Sequence, residues 1–377
     1  MKKVVVGLSG GVDSAVSAYL LKQQGYEVIG LFMRNWDSAA NNDILGNPSL
    51  TEDICPQEKD YQDALKVAEF LGIKLYRHDF IKEYWDYVFT YFLEEYKKNR
   101  TPNPDVLCNK YVKFAGFQEV AKELGADYFA YGHYARTKEV SNEMFLLRGK
   151  DGNKDQSYFL CQLNQEQLKN SLFPVGELTK TEVRKIALEA NLPTAEKKDS
   201  TGICFIGERD FKNFLKNYIF SKPGEIKTLN GETLGKHDGL MYYTIGQRKG
   251  LNIGGDSRFY NAPWFVIGKN LEANELLVGQ GFNHPTLYAN RVIVEDVNWI
   301  SKKRFSGSLE CLAKFRYRQK DNLVMISWID ETTLEVVTNK PVRACTPGQA
   351  AVFYDGEICL GGGVIKSAYQ NATKLPY

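Results

Sequence analysis

The sequence VVVGLSGGVDS, residues 4–14, decides the fold of the first part of this chain. Its apolar run over residues 4–8 is typical of a buried strand, and from Val12 onward apolar residues recur at helical spacing. The glycines between them indicate a tight loop that joins a strand to a helix. Because backbone N–H groups and the helix N-terminus converge on such a loop, we expect it to bind an anion.

The alternation of strands and helices continues to about residue 211 and predicts a doubly wound parallel sheet. Further elements are expected at strands 28–33, 75–80 and 128–131 and at helix 61–71. The long polar stretch 35–59 predicts a mobile or functional loop. Thr179 and Glu182 form a capping-box pattern at the start of a helix that we expect to close this domain.

The remainder of the chain favours β structure. The dipeptides Asn230-Gly231 and Asp238-Gly239 are typical of hairpin turns. Several short strand-like runs after residue 285 indicate a C-terminal β-barrel of about six strands. The predicted organisation is an α/β domain, a small mostly-β central domain and a β-barrel, over residues 1–211, 212–284 and 285–377.

Composition limits the class of protein. With 377 residues, 43% hydrophobic and 25% charged, the chain is expected to fold throughout. Lys and Arg number 48 and Asp and Glu 46, so a nucleic-acid partner would need a local basic patch. No apolar run approaches the roughly 20 residues of a membrane span, and the start lacks the apolar stretch of a signal peptide. We therefore predict a cytoplasmic protein.

The loop over residues 7–14 lacks the spacing of a Walker loop or of a dinucleotide-binding G-x-G-x-x-G. For two glycines alone, a tight turn without a ligand is the alternative. The full S-G-G-V-D-S resembles the pyrophosphatase loop of enzymes that cleave ATP between its α- and β-phosphates and transfer AMP to a carbonyl oxygen. That resemblance implies an adenine nucleotide alpha hydrolase-like domain. It assigns ATP contacts to Gly7, Leu8, Ser9, Gly10, Gly11, Val12, Asp13, Ser14, Met33 and Gly132.

The seven cysteines, none of them in a C-x-x-C pair, predict no zinc ribbon and no disulfide framework. Cys108 in NPDVLCN and Cys204 in GICFIG have polar neighbours, which predicts accessible thiolates. We expect the first segment to be extended, because Thr101-Pro102 precedes it. Cys55 is expected to be an exposed thiol. The others are expected to be small buried apolar residues: Cys161, Cys311, Cys345 and Cys359.

The ATP loop and the two cysteine segments together resemble the bacterial tRNA-specific 2-thiouridylase family, from residue 4 to about residue 365. Further matching segments are residues 132–136, 154–158, 243–250 and 347–349. The resemblance implies ATP-dependent 2-thiolation of the wobble uridine, anticodon position 34, in tRNAs of the Lys, Glu and Gln types. ATP with Mg²⁺ is the implied substrate, with no metal held by the protein itself. The implied partners are tRNA and a persulfide donor, either a cysteine desulfurase or a sulfur-relay protein.

The same resemblance assigns roles to residues. Cys204 would carry the persulfide, and Cys108 would act either by forming a disulfide with it or by assisting release of hydrosulfide. Asp105 would take a proton. The pocket for the target base would be Asn103, Pro104 and Asp105, and the tRNA contacts would be His133, Lys154, Asp155, Gln156, Arg316, Tyr317 and Gln349.

Two further expectations concern the RNA. Lys314, Arg316 and Arg318 alternate with apolar residues, which predicts one basic face on that strand, with a merely solvated face as the alternative. We also expect the Cys108 and Cys204 segments to meet only when tRNA binds.

The sequence leaves two alternative functions open. Another ATP-pyrophosphatase, such as an amidotransferase-type synthetase or lysidine synthetase, would use an ammonia or lysine nucleophile and no pair of reactive thiols. A nucleotide-dependent RNA-binding or redox-sensing protein would show no turnover.

Overall fold

The computed structural model describes residues 1–51, 55–199, 206–254 and 262–377. Its first region contains a five-stranded parallel sheet and a separate hairpin. The strands of this region are β1 (Lys3–Gly7), β2 (Glu27–Arg34), β3 (Lys74–Asp79), β4 (Tyr128–Ala130), β5 (Ala135–Val140), β6 (Glu143–Arg148) and β7 (Ser171–Leu172). The parallel sheet has the order β3-β2-β1-β4-β7.

Helices pack on both faces of this sheet. They are α1 (Val12–Gln23), α2 (Pro56–Leu71), α3 (Ile81–Tyr84), α4 (Thr90–Lys97), α5 (Pro104–Leu107), α6 (Phe117–Glu123), α7 (Gln165–Lys169), α8 (Lys180–Glu189) and α9 (Phe211–Lys216), with π-helical segments at Trp85–Phe89 and Cys108–Gly116.

The central strand β1 shows why the sheet is doubly wound. Val4 and Val6 are buried in a core cluster with residues of α1 and α2, whereas Val5 is buried in a second cluster on the other face. Because both faces of the strand are covered, its sequence is a continuous apolar run. The predicted parallel sheet is confirmed.

The middle and last regions are β structures, as predicted. Asn230-Gly231 joins two antiparallel strands and confirms the predicted hairpin turn, whereas Asp238-Gly239 leads into a 3₁₀ turn at Leu240–Tyr242, so a hairpin there is wrong. The middle region has β8 (Gly224–Lys227), β9 (Thr233–His237), β10 (Trp264–Asn270) and β11 (Glu275–Gln280), in the order β10-β11-β8-β9. The last region has β12 (Tyr288–Trp299), β13 (Ser308–Lys314), β14 (Asn322–Trp328), β15 (Leu334–Arg343), β16 (Ala350–Asp355), β17 (Ile358–Gln370) and β18 (Thr373–Lys374). Pairing of β12 with β17 closes β12 to β17 into the six-stranded barrel.

The hairpin β5–β6 joins the first region to the barrel, a contact that the sequence did not predict. Strand β6 pairs antiparallel with β17, so that Leu147 lies opposite Ile358 and Leu146 opposite Cys359. Leu146 and Cys359 are both buried in the larger core cluster of the first region. The hairpin of the first region therefore extends the barrel sheet, whereas the parallel sheet stays separate from it.

The first part of the polar loop, residues 35–47, is held in place rather than mobile. The side chain of Asp43 is 0% exposed and accepts hydrogen bonds from Trp36 Nε1 at 2.9 Å and from Arg209 Nη2 at 2.7 Å. The Arg209 side chain is only 5% exposed. Of the two predicted alternatives, a mobile or a functional loop, the buried ion pair of Asp43 favours the second over residues 35–47.

Replacing Asp43 with asparagine is expected to lower the unfolding free energy by about 3 to 5 kcal/mol, because the Arg209 charge stays buried without its partner. Urea denaturation measures this. The control is Glu189→Gln, which removes a pair on α8 whose side chains are mostly exposed and is expected to cost less than about 0.5 kcal/mol. Equal midpoints for the two variants would contradict the assignment.

Candidate active site

The loop over residues 7–14, called the phosphate loop from here on, lies between β1 and α1, as its sequence predicts. Ser14 Oγ accepts a hydrogen bond from the Ser9 backbone N–H at 3.2 Å and donates to the Gly11 carbonyl at 3.0 Å. Gly10 has a φ of +75°, and a Cβ there would collide with the carbonyl oxygen of Asp60 in α2. The loop is therefore a compact turn that only glycine permits at position 10.

Gly132 and Met33 lie at the same edge of the sheet. A Cβ on Gly132 would be 3.0 Å from the Ser14 backbone nitrogen, so Gly132 lies directly against the first turn of α1. Met33 is two residues beyond Leu31, which pairs with Gly7 at the carboxyl end of β1. This edge is where parallel sheets bind nucleotides. The structure thus brings the predicted ATP residues together.

Asp13 is bound by two residues that the sequence did not single out. Lys180 Nζ lies 2.7 Å and 2.8 Å from its two carboxylate oxygens, and the Tyr134 hydroxyl donates to it at 2.8 Å. Lys180 is the first residue of α8, whose predicted capping box between Thr179 and Glu182 is present. The only local signal for Lys180 was its place at that helix start, directly after the capping threonine.

The segment with Asp105 and Cys108 is helical, so the expectation of an extended segment is wrong. Pro104 begins α5, and the Asn103 side chain accepts a hydrogen bond from the Asp105 N–H at 3.2 Å as the N-cap. An Asn cap followed by proline at the first position starts a helix. The helix continues as the π-helical segment and then α6, whose Phe117 ring lies 3.6 Å from where a Cβ on Gly7 would be. The Cys108 helix therefore reaches the phosphate loop.

Cys108 is buried, which corrects the prediction of an accessible thiolate. Its relative exposure is 0%, and it belongs to the aromatic-rich core cluster. The helix turns the thiol inward, although its neighbours in sequence are polar. Cys204 lies outside the described residues, as do Gly202, Ile203 and Phe205. The expectation that the two thiols meet only with tRNA therefore stays a prediction.

Asp105 has the electrostatics of a proton acceptor. Burial raises the pKa of its carboxyl group, and the positive charge of Lys113 opposes that rise. A carboxylate with a raised pKa holds a proton more readily near neutral pH, as a general base requires. The role of Asp105 as the proton acceptor stays a prediction.

The barrel supports this segment from outside. Gln349 Nε2 donates to the Thr101 carbonyl at 2.8 Å, and the Thr101 N–H donates to the Pro347 carbonyl at 3.0 Å. Gly348 has a φ of +91°, and a Cβ there would be 2.9 Å from the Thr101 carbonyl oxygen. Gln349, predicted as a tRNA contact, thus holds the chain directly before Asn103, where the target-base pocket is predicted.

The other predicted tRNA contacts differ in their surroundings. Lys154 is partly exposed and pairs with Asp199 at 2.7 Å. Asp155 is buried, and its Oδ1 accepts from Ser157 Oγ at 2.8 Å. Gln156 Oε1 accepts from the Tyr134 N–H at 2.9 Å. Of these three, Lys154 is the one whose charge reaches solvent.

The prediction that residues 314–318 form a strand with one basic face is wrong, because β13 ends at Lys314. Arg316 follows in a bend and donates to the Ile245 carbonyl and to Thr346 Oγ1, both at 2.8 Å. The Tyr317 ring packs against Phe159, with centroids 4.4 Å apart. Arg316 therefore links the barrel to the middle region.

The remaining cysteines lie as expected. Cys55 is exposed, and the four structural cysteines are buried. Burial raises the pKa of the thiols of Cys161 and Cys345 to about 12, which leaves them protonated and unreactive near neutral pH. Within the described ranges, no group of three or more His, Cys, Asp or Glu is placed to hold a metal ion.

His133 lies among aromatic rings, with centroid distances of 5.9 Å to Phe114 and 6.1 Å to Tyr131. Desolvation, and after it the charge of Lys113, lowers the pKa of His133 well below its usual value. The unfolded chain therefore binds a proton near pH 6.5 that the folded chain does not, so stability falls as pH drops through that value.

His133→Phe is expected to lose less thermal stability than the parent between pH 7.5 and 5.5, because it removes a group that protonates only on unfolding. Melting temperatures at the two pH values give the comparison. His78→Gln is the control, since His78 is exposed. The melting temperature of this variant is expected to fall as much between the two pH values as that of the parent. If the melting temperature of His133→Phe falls as much as that of the parent, His133 is not a group that protonates only on unfolding.

Comparison with known proteins covers nearly the whole chain. Residues 2–208 match a family described as tRNA methyl transferase HUP domain, residues 212–280 its PRC-barrel domain, and residues 289–365 an aminomethyltransferase beta-barrel domain. No helix in the described ranges is long and apolar enough to cross a membrane.

Curated relatives match over their full length. A tRNA-specific 2-thiouridylase MnmA from Listeria monocytogenes serotype 4b (strain CLIP80459) is 58% identical over 100% of this chain and 97% of its own. One of the same name from Bacillus cytotoxicus is 55% identical with the same coverage. Among solved structures, the NMN synthetase from Francisella tularensis has a TM-score of 0.32 and 17% identity over 56% of this chain and 71% of its own.

Proposed function

This chain belongs to the bacterial tRNA-specific 2-thiouridylase family, and on that premise we propose how its residues carry out the reaction. The protein is a tRNA-uridine 2-sulfurtransferase, and its product is 2-thiouridine at the wobble position of tRNA. The observation that carries the mechanism is the meeting of two elements at one sheet edge. The phosphate loop contacts the helix that contains Asp105 and Cys108, through Gly7 and Phe117.

ATP activates the base in the first step. The 2-oxygen of the uridine attacks the α-phosphorus of ATP, the bond to the β-phosphate breaks, and pyrophosphate leaves. The backbone N–H groups of residues 9–14 and the N-terminus of α1 stabilise the charge that develops on the departing phosphates. Mg²⁺ would be held mainly by the phosphates, with Asp13 as the carboxylate of the loop, and would neutralise part of their charge.

Sulfur replaces oxygen in the second step. The terminal sulfur of a Cys204 persulfide attacks the activated 2-carbon, and AMP leaves with the former oxygen. The Cys108 thiolate then attacks the inner sulfur of Cys204, which forms a disulfide and leaves the terminal sulfur on the base. In the other route, Cys108 displaces hydrosulfide first, and hydrosulfide attacks the base. Both routes need a dithiol reductant to restore the two cysteines.

Asp105 would take the proton that these steps release, and the pKa of its carboxyl group, raised by burial, supports that role. The target base would leave the anticodon stack and enter the pocket at Asn103, Pro104 and Asp105, at a cost of a few kcal/mol. The tRNA body would lie across the three regions, which we place at residues 1–211, 212–284 and 285–377. The sulfur would come from a desulfurase or relay protein in the cytoplasm.

The description of the matching family names methyl transfer, whereas the curated relatives are named thiouridylases. We favour thiolation because a phosphate-binding turn suits ATP cleavage and because the helix that contains Cys108 reaches that turn through its Phe117, which lies against Gly7. An ATP-pyrophosphatase that uses ammonia or lysine would not need that thiol.

The test is a complete reaction with unmodified tRNA, ATP, Mg²⁺, a persulfide donor and a dithiol. Nucleoside mass spectrometry is expected to show 2-thiouridine, with AMP and pyrophosphate formed in equal amount. The control is the same tRNA with cytidine at the wobble position. Methylated uridine, or thiolation that does not require ATP, would refute the mechanism.

A further inference from the structure

An ion-pair network connects the phosphate loop with the surface beside it. Asp199 lies at its centre: its Oδ1 is 2.8 Å from Lys180 Nζ and from Arg184 Nη2, and its Oδ2 is 2.7 Å from Lys154 Nζ. Lys180 is shared, because the same ammonium group binds Asp13 at 2.7 Å. Three cations and two carboxylates leave the network with one net positive charge.

The network is bonded to the body of the first region through Arg184 and is exposed to solvent at Lys154. Arg184 Nη1 also donates to the carbonyls of Ala195 and Lys197, at 3.0 Å and 2.8 Å. Lys197 binds Asp60 and Asp63 of α2, both at 2.7 Å. The Lys154 side chain, by contrast, is 38% exposed. Of these cations, Lys154 is the one that an external phosphate reaches most easily.

A second connection runs from the same segment to Asp13. The Gln156 backbone N–H donates to the Tyr134 carbonyl at 2.8 Å, and the Gln156 side chain accepts from the Tyr134 N–H. The Tyr134 hydroxyl donates to Asp13. Residues 154–156 are thus bonded to the phosphate loop by an ionic route and by a hydrogen-bonded route.

We propose that Asp199 is a positioning residue that couples RNA binding at Lys154 to ATP binding at the phosphate loop. The proposal rests on the proposed function, because it takes tRNA as the RNA. When an RNA phosphate binds Lys154, Asp199 loses one of its three cationic partners, and its ion pair with Lys180 becomes stronger. Lys180 then releases Asp13, which becomes available to the Mg²⁺–ATP complex. Bound tRNA therefore tightens ATP binding, and by linkage ATP tightens tRNA binding by the same factor.

Burial and charge agree with this role. Burial alone would raise the pKa of Asp199, but hydrogen bonds from Lys154 and Lys180 outweigh it and lower the pKa to about 2. The carboxylate is therefore ionised at every pH at which the enzyme would be assayed, and its neutral form does not compete.

The experiment measures the affinity of an ATP analogue with a methylene bridge between the α- and β-phosphates, by calorimetry, with and without saturating unmodified tRNA. In the parent, tRNA is expected to tighten binding at least about 5-fold, the lower end of typical coupling. In Asp199→Asn the factor is expected to fall to within about 2-fold of one, and Asp199→Glu is expected to restore part of it. Glu189→Gln on α8 is the matched control and keeps the parental factor.

Lys154→Gln gives an independent test should Asp199→Asn fail to fold. It is expected to lose the same coupling, and the double variant is expected to lose no more than either single variant. Parental coupling in either single variant, or no coupling in the parent, would overturn the proposal. These outcomes differ from failure of the proposed function, because that failure would appear as tRNA and ATP binding without 2-thiouridine.

Discussion

Replacing Cys204 with serine is expected to abolish 2-thiouridine formation, to below about 0.1% of the parental rate. A hydroxyl has similar volume but forms no persulfide, so no sulfur reaches the activated carbon. The measurement is nucleoside mass spectrometry of tRNA after single-turnover reaction. Filter binding of tRNA, which needs no sulfur, is expected to remain within about 2-fold of the parent.

Two matched variants control for the loss of a thiol. Cys55→Ser removes an exposed cysteine and is expected to leave the rate unchanged. Cys108→Ser is expected to permit at most one slow turnover, since the inner sulfur of Cys204 then lacks an attacking thiolate. Thiolation by the Cys204→Ser variant above background would eliminate the persulfide assignment.

Replacing Asp13 with asparagine is expected to lower kcat/KM for ATP by about 100-fold or more, in the range found when a charge-stabilising group is lost. The variant loses the carboxylate of the phosphate loop and leaves Lys180 paired to Asp199 alone. Pyrophosphate release in the presence of tRNA is the measurement. Asparagine has nearly the same shape, so the melting temperature is expected to stay close to that of the parent.

Asp330→Asn is the control, because Asp330 lies in an exposed turn of the barrel and is expected to leave ATP use unchanged. Normal pyrophosphate release by the Asp13→Asn variant would show that the loop works through its backbone alone.

Local patterns in the sequence predicted much of the fold. The strand, loop and helix over residues 4–23 are fixed by neighbours in sequence, and so is the capping box at Thr179 and Glu182. Gly10 and Gly132 were assigned to the ATP site by resemblance, and the structure shows why both are glycine: a Cβ on Gly10 would collide with the Asp60 carbonyl oxygen, and a Cβ on Gly132 would crowd the Ser14 backbone.

The sequence predictions failed for features that depend on contacts between residues far apart in the chain. Lys180 binds Asp13 across 167 residues, and no pattern around either residue indicates the other. The pairing of β6 with β17 is of the same kind, because a hairpin edge does not specify its distant partner. At Cys108, polar neighbours suggested exposure, whereas the helix that Asn103 and Pro104 start turns the thiol into the core.

The contact of Pro347, Gly348 and Gln349 with Thr101 has a consequence for the synthesis of the protein. On the ribosome, the first region emerges long before residues 347–349, which hold the chain that leads to the proposed target-base pocket. Domains fold as units while the chain grows, so a nascent first region can form its sheet and its phosphate loop early. The loop that leads to Asp105 acquires its support only after most of the barrel has been made. We therefore expect activity to require nearly the whole chain, and a truncated chain to bind ATP while the loop that leads to Asp105 lacks its support.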